Sequence, residues 1–469
     1  MPRALELTDR ALLAAYLLLA ALGTATHCLL VNDGAIFLSA VWLGDPWTLY
    51  FNQFAGRALA LLASFGPAWL LRVAIDPASG VFLALAHIFY FAVPLALWAA
   101  IRAIERDRAG SRLYLAAALA LVNFPSELAV GAGLWTLWLA LIGDPARSMR
   151  AVAIATTAFG VALSFTHPVT GLMALLYALV SAVLAAIGHP VARRTMLASG
   201  ALAAIVLALY AATASWLAPT NPTVVAALAR NRSDYVDPLW MTATLLLFPL
   251  LAAMWLLLLA PGLVVARRRS GLSVTVVVAI GIAGLWFAVA GTGLLTWLYA
   301  RHTAVHVLAL ALALAAAAPQ VWLATARLPL LFYAAIMAVS AVSYAADLAL
   351  FGRFVDSKVR AGTVDVDAAG SGWPARLSGA YGQRSYLKWT AGPDYTRDVV
   401  VPMYDWYQVT LAFYSYFRSG RESILFHPLG RPGDWIPFEC PAVARVRARP
   451  HDERDAMLLG FLAERYCVR

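Results

Sequence analysis

Ten ionisable side chains stand within or at the edges of the apolar runs of this chain: Asp33, Asp45, Arg57, His87, Glu127, His167, Arg301, His302, His306 and Asp347. Charge at bilayer depth is expensive, so each is a candidate for function. Asp33 closes the pair Asn32-Asp33 and is followed by an apolar, aromatic segment, Ala35–Phe51, with Trp42, Trp47 and Tyr50. Aromatic stretches of this kind suit the membrane interface. A carboxylate at its start meets both water and lipid head groups, where a general base acting on a polar acceptor must sit; the plain alternative is a helix-end turn. Asp45, in Gly44-Asp45-Pro46, is either a turn residue before proline or the second carboxylate of a pair, holding a divalent metal or the acceptor.

Asn123-Phe124-Pro125-Ser126-Glu127 interrupts a run that is otherwise apolar from Leu113 to Trp138. Pro125 lacks a backbone donor, and Ser126 and Glu127 are placed to cap the half-helix that follows. Broken helices at membrane depth are tolerated only where they face protein or a wet cavity. Glu127 is therefore either part of a cavity wall or a helix cap at an outer turn, and Gly131 and Gly133 allow close helix packing. His167, in Thr166-His167-Pro168-Val169-Thr170, joins two apolar runs as a binding residue or a structural one. Arg301-His302 follows Trp297-Leu298-Tyr299, and Arg230 and Arg232 stand in the stretch Thr220–Asp237. Guanidinium groups suit a phosphate or pyrophosphate; anchoring to lipid head groups is their other use.

The elements that must position these residues follow from composition. The chain has 469 residues, 62% hydrophobic and 13% charged, with a mean hydropathy of +0.75. Soluble domains run at about 45–50% apolar and about 25% charged. A soluble enzyme, a disordered chain and a disulfide-rich mini-fold are excluded as the main description; a polytopic membrane protein is what remains. The charge is uneven: 31 charged residues fall in 1–349 and 29 in 350–469. An all-α membrane body, residues 1–350, is thus followed by a polar region, 351–469, long enough for a small α+β domain. Val399-Val400-Val401 is a candidate strand there, and Asp452 to Leu462 a short amphipathic helix. The arginines cluster between apolar runs, which is a topology signal and not a nucleic-acid footprint.

Apolar runs predict helices at Leu12–Val31, Ala58–Ile75, Val81–Ile101, Ala151–Phe165, Val169–Ile187, Met196–Leu217, Leu239–Ala260, Leu272–Val289, Ala304–Ala324 and Leu330–Phe351. Asn32–Phe54 and Leu113–Ile142 are ambiguous. Two short helices in Leu113–Ile142 and a crossing at Asn32–Phe54 give about 13 segments; the alternative gives about 11. Arginine-rich loops belong inside, which places the N-terminus in the cytoplasm, Thr166-His167-Pro168 outside and the C-terminal region outside. The first helix is expected to be retained, since no small-residue cleavage pattern follows it. Cys440 and Cys467 would then lie in an oxidising compartment, where they either pair or remain thiols; Cys28 falls inside the first predicted helix. There is no P-loop, HExxH or CxxC.

This layout resembles the GT-C superfamily of membrane glycosyltransferases. A first helix ends at Asn32-Asp33 on the outer side, Ala35–Phe51 takes the place of the juxtamembrane helices, many helices follow, and a soluble domain lies outside at the C-terminus. The acidic pair common after the first helix in that superfamily is here Asn32-Asp33, with one acid. The resemblance implies a lipid-linked sugar donor (a polyprenyl-phosphate sugar), with transfer at the outer face of a bacterial inner membrane. It implies Asp33 as base, Asp45 as a possible partner and Arg301 for the lipid phosphate. Two other classes fit the same sequence: a transporter or lipid flippase with its site at Glu127, and a non-catalytic component of a cell-envelope assembly.

Overall fold

The computed structural model describes residues 2–30, 34, 38, 41, 57–75, 79–105, 109–122, 127–186, 188, 192–217, 297–317, 326–327, 330–335, 337–339, 341–342, 345–346, 349, 425–426 and 436–437. Its helices are α1 (Pro2–Ala25), α2 (Ala58–Ile75), α3 (Ser79–Ile104), α4 (Ala109–Val122), α5 (Leu128–Gly143), α6 (Met149–Ser164), α7 (Val169–Ala186), α8 (Arg193–Leu217) and α9 (Trp297–Ala317). Two short strands, β1 (Leu425–Phe426) and β2 (Ile436–Pro437), pair antiparallel. Val399–Val401, the helix expected near Asp452 and both tail cysteines lie outside the described residues.

The chain is a multi-pass helical membrane protein. Among the described residues, five helices are long and apolar enough to cross a bilayer: Glu6–Ala25, Ala58–Ile75, Gly80–Ile104, Val169–Ala186 and Arg193–Thr213. Leu70, Val73, Ile154, Leu179 and Leu197 are each more than half exposed, which suits contact with lipid. The first helix differs from expectation. It begins at Pro2 and stops at Ala25, so Cys28 sits beyond it in a 3-10 turn, Cys28–Leu30. The stop is made by His27, whose φ of 57° lies in the left-handed region, one that breaks a right-handed helix. Within the ambiguous Asn32–Phe54, Gly34, Leu38 and Val41 are helical and buried, a spacing that places them on one helix face.

Leu113–Ile142 forms two short helices. α4 has 14 residues and α5 has 16, about 21 and 24 Å at a rise of about 1.5 Å per residue. Neither spans a hydrocarbon core of about 30 Å. All 14 residues of α4 are buried, as a helix apolar on every side requires. It packs against α1, α3, α5 and α9. The Tyr333 hydroxyl donates to Ala116 O at 2.7 Å, and the Tyr114 hydroxyl donates to Ala129 O at 3.0 Å across the α4–α5 pair. At the end of α4, Val122 O accepts from Tyr90 near the middle of α3. The two helices thus turn back partway through the bundle.

The other end of α4 is held by charge. Asp9 of α1 accepts from Arg112 Nε and from Arg102 Nη1, both at 2.6 Å. The Asp9 and Arg112 side chains are 8% and 4% exposed, and Arg102 also lies 5.4 Å from the Trp98 ring. Glu105 accepts from the backbone of Gly110 and Ser111, closing the α3–α4 connection. Arg102 and Arg112, two of the arginines that cluster between apolar runs, thus serve as internal fasteners. Nearby in kind, Arg194 donates to the carbonyls of Ile142, Asp144 and Arg147 at the end of α5. Removing one partner of a buried ion pair costs about 3–5 kcal/mol. Asp9→Asn is expected to lose stability on that scale in detergent unfolding. Asp9→Leu combined with Arg112→Met, which removes both buried charges, is expected to recover much of the loss.

Candidate functional site

Two helical hairpins meet at their tips. One is α4–α5, with Glu127 immediately before α5; the other is α6–α7, joined through Phe165–Pro168. α2 arrives at the same place, its entry fixed by Leu59 N–H donating to Phe165 O at 3.0 Å. This brings Arg57, Glu127 and His167 together. Arg57 Nη1 lies 3.0 Å from Glu127 Oε1, and the side chains are 21% and 3% exposed. His167 Nε2 lies 3.5 Å from the same Oε1. That distance is long for a hydrogen bond and short enough for a strong electrostatic contact where little water screens it.

The local backbone sets the chemistry of His167. Its Nδ1 accepts from Val169 N–H at 3.1 Å, which leaves the ring proton on Nε2, facing Glu127. Thr170 Oγ1 donates to His167 O at 2.6 Å and Thr166 Oγ1 to Leu163 O at 2.7 Å, so the turn satisfies its own polar groups. Glu127 occupies the N-cap position of α5, and its carbonyl accepts from Val130 and Gly131 N–H, but its side chain makes no capping hydrogen bond. Of the two uses open to it in the sequence, its carboxylate does not serve as a cap: it turns to Arg57 and His167. Its second oxygen, Oε2, is buried with no hydrogen-bond partner. A buried acceptor left bare costs about 1–3 kcal/mol, and more when charged.

Gly131 makes the approach possible. A Cβ at that position would stand 2.6 Å from Thr170 Cγ2 and 3.1 Å from Thr166 Oγ1. Two residues on, on the opposite face of α5, a Cβ at Gly133 would stand 2.6 Å from both the Tyr114 hydroxyl and Leu97. Both glycines are where close packing was expected. Trp135 continues the face of α5 that carries Gly131 and packs edge-on against Tyr177 of α7 at 5.6 Å.

The remaining candidates divide as follows. Asp33, Asp45, Arg230, Arg232, Cys440 and Cys467 lie outside the described residues. Arg301 and His302 fall in α9, which packs against α7 and α4. His87 is fully buried; its Nδ1 bonds Leu83 O and its Nε2 accepts from Leu29 N–H, so it fastens the turn after α1 to α3. Among the described residues no group of three or more His, Cys, Asp and Glu side chains converges in a metal-binding cluster. Arg57 was one of the ten ionisable residues but not a site residue by sequence; its partner is 70 positions away and only the fold pairs them.

No protein-family model matches the sequence, and comparison with curated proteins and with solved structures finds no match. What the fold and site define is a class: a multi-pass helical membrane protein with a buried ionic centre where the tips of two helical hairpins meet.

Gly131→Ala is expected to destabilise the protein by about 1–3 kcal/mol, the usual cost of overpacking. Adding Thr170→Ser, which removes Cγ2 and keeps the hydroxyl, should return part of that loss. Thermal unfolding of the two variants checks it.

Proposed function

We propose that the protein is an integral membrane glycosyltransferase that moves a sugar from a polyprenyl-phosphate-linked donor to an acceptor at the outer face of a bacterial inner membrane. The observation that carries this reading is the Arg57–Glu127–His167 cluster. It lies at the opposite end of α4 from the Asp9–Arg102–Arg112 fastener and the other arginine-bearing connections. By the bias of arginine toward the cytoplasm, that is the outward side. The turn after α1, which leads into Asn32-Asp33, is fastened by His87 in the outward half of α3. The resemblance to GT-C enzymes places the reaction on this side.

In this reading Asp33 deprotonates the acceptor hydroxyl or holds it in line. Arg301 stabilises the lipid phosphate that leaves, and the cluster around Glu127 forms the polar floor beneath. A general base contributes about 10²–10⁴-fold. In liposomes containing a polyprenyl-phosphate sugar, Asp33→Ala is expected to slow consumption of that donor by at least about 100-fold. Consumption at the wild-type rate would sink the assignment.

One observation favours a second reading. An ionic pair buried beside a break in a helical run is also how a transporter or lipid flippase builds a central site. Substrate accumulation in sealed vesicles, lost in Glu127→Gln and unaffected by Asp33→Ala, would select it.

A further inference from the structure

We propose that the end of the bundle opposite Glu127 binds an anionic glycerophospholipid, its head group held by Arg147, Arg150 and Arg193 and its acyl chains laid along the exposed faces of α6 and α8. This surface is separate from the Glu127 cluster and does not rest on the glycosyltransferase reading.

The surface is built where two helices start side by side. α6 and α8 pack against each other, and their starts are tied by Arg194 Nη1, which donates to Arg147 O at 2.9 Å. Arg194 also holds Ile142 O and Asp144 O, at the end of α5 away from Glu127, so its guanidinium is spent on the fold. Arg147, Arg150 and Arg193 are different. All three are exposed, and among the described residues none of their side chains makes an ion pair or hydrogen bond. Over residues 143–150 and 192–197, four arginines stand against one acid, Asp144, and Asp144 Oδ1 accepts from Ala146 N–H. Neither α6 nor α8 has an acidic residue in its first turn. A cation at the start of a helix meets the positive end of the helix dipole, so Arg150 and Arg193 gain nothing from the helices that carry them. The described fold supplies no balancing charge, and guanidinium groups suit phosphate.

What lies beside the arginines makes the anion a lipid. Arg150 and Arg193 each head the exposed stripe of their own helix. Ile154 and Val161 follow Arg150 on α6, and Leu197 and Ala201 follow Arg193 on α8; all four are exposed. Such spacings keep residues on one helix face. Ile154 and Leu197 lie one turn, about 6 Å, further into the bilayer than the arginines. A molecule with an anionic head and apolar chains meets matching surface along its length. A soluble phosphate would use the arginines alone. A second copy of the chain, related by a two-fold axis, would bring the same arginines against these. Basic clusters flanking membrane helices draw anionic lipids for the same electrostatic reason.

The test counts lipids on the full chain. Protein purified in detergent is offered equal amounts of phosphatidylglycerol and phosphatidylethanolamine with the same acyl chains, and native mass spectrometry reads what stays bound. The wild-type protein is expected to retain phosphatidylglycerol in excess. Arg150→Gln with Arg193→Gln is expected to weaken that lipid about 25-fold, about fivefold for each basic side chain at a membrane surface. Arg10→Gln removes an exposed arginine of α1 that pairs with Glu6, and is expected to leave retention as in the wild type. The contrast between the two lipids is read on the wild-type protein and so does not depend on a variant folding. Equal retention of both lipids, unchanged retention in the folded double variant, or an equal loss in Arg10→Gln would each overturn the proposal. Glycerol phosphate, which has the phosphate without the chains, binding as tightly as the lipid would move the site to a soluble anion and overturn it too, as would a dimer that the double variant dissociates.

Discussion

The contact between Arg57 and Glu127 joins three parts of the chain that have little else in common: the start of α2, the break before α5 and, through His167, the turn between α6 and α7. Its strength comes from its surroundings. Where water is scarce a charge has no solvent to fall back on, so each member of the pair holds the other in place and the helices that carry them follow. The hairpin tips accordingly need no long connecting loops to define their positions. Gly131 completes the arrangement by letting the α5 backbone come down onto Thr166 and Thr170.

A second charged group, Asp9 with Arg102 and Arg112, does the same at the other end of α4. Between the two lies a helix with every residue buried. Dense apolar packing makes that helix the axis of the described bundle, and the ionic groups at its ends oppose sliding along it. At the Asp9 end each carboxylate oxygen has a guanidinium partner, while Arg112 Nη1 is buried without one. At the Glu127 end one carboxylate oxygen is likewise buried and unmet.

Much of the fold was legible because crossing helices announce themselves as apolar runs. Ala58–Ile75 matches to the residue, and Val81–Ile101 lies inside α3. The break at 123–127 was legible because Pro125 and Glu127 have no place within a continuous apolar helix. The start of α1 was not. Hydropathy marks where a helix becomes apolar, whereas Pro2–Arg10 is helical and polar, and it is there that Asp9 acts. The end of α1 was misjudged for a related reason: His27 and Cys28 look acceptable in an apolar run, and only the backbone turn at His27 shows that the helix has stopped. For the site, Glu127, His167, Gly131 and Gly133 were each visible as exceptions to their surroundings. Their assembly was not, since Arg57 and Glu127 are paired by packing and no local pattern encodes it.

The short pair also bears on how the chain meets the bilayer. α3 and α8, at 26 and 25 residues, reach about 37–39 Å, whereas α4 and α5 reach only about 21–24 Å. Every residue of α4 is buried, so acyl chains do not touch it. Its shortness therefore imposes no thinning on the membrane, and a helix sheathed in protein is free to be shorter than the hydrocarbon is thick.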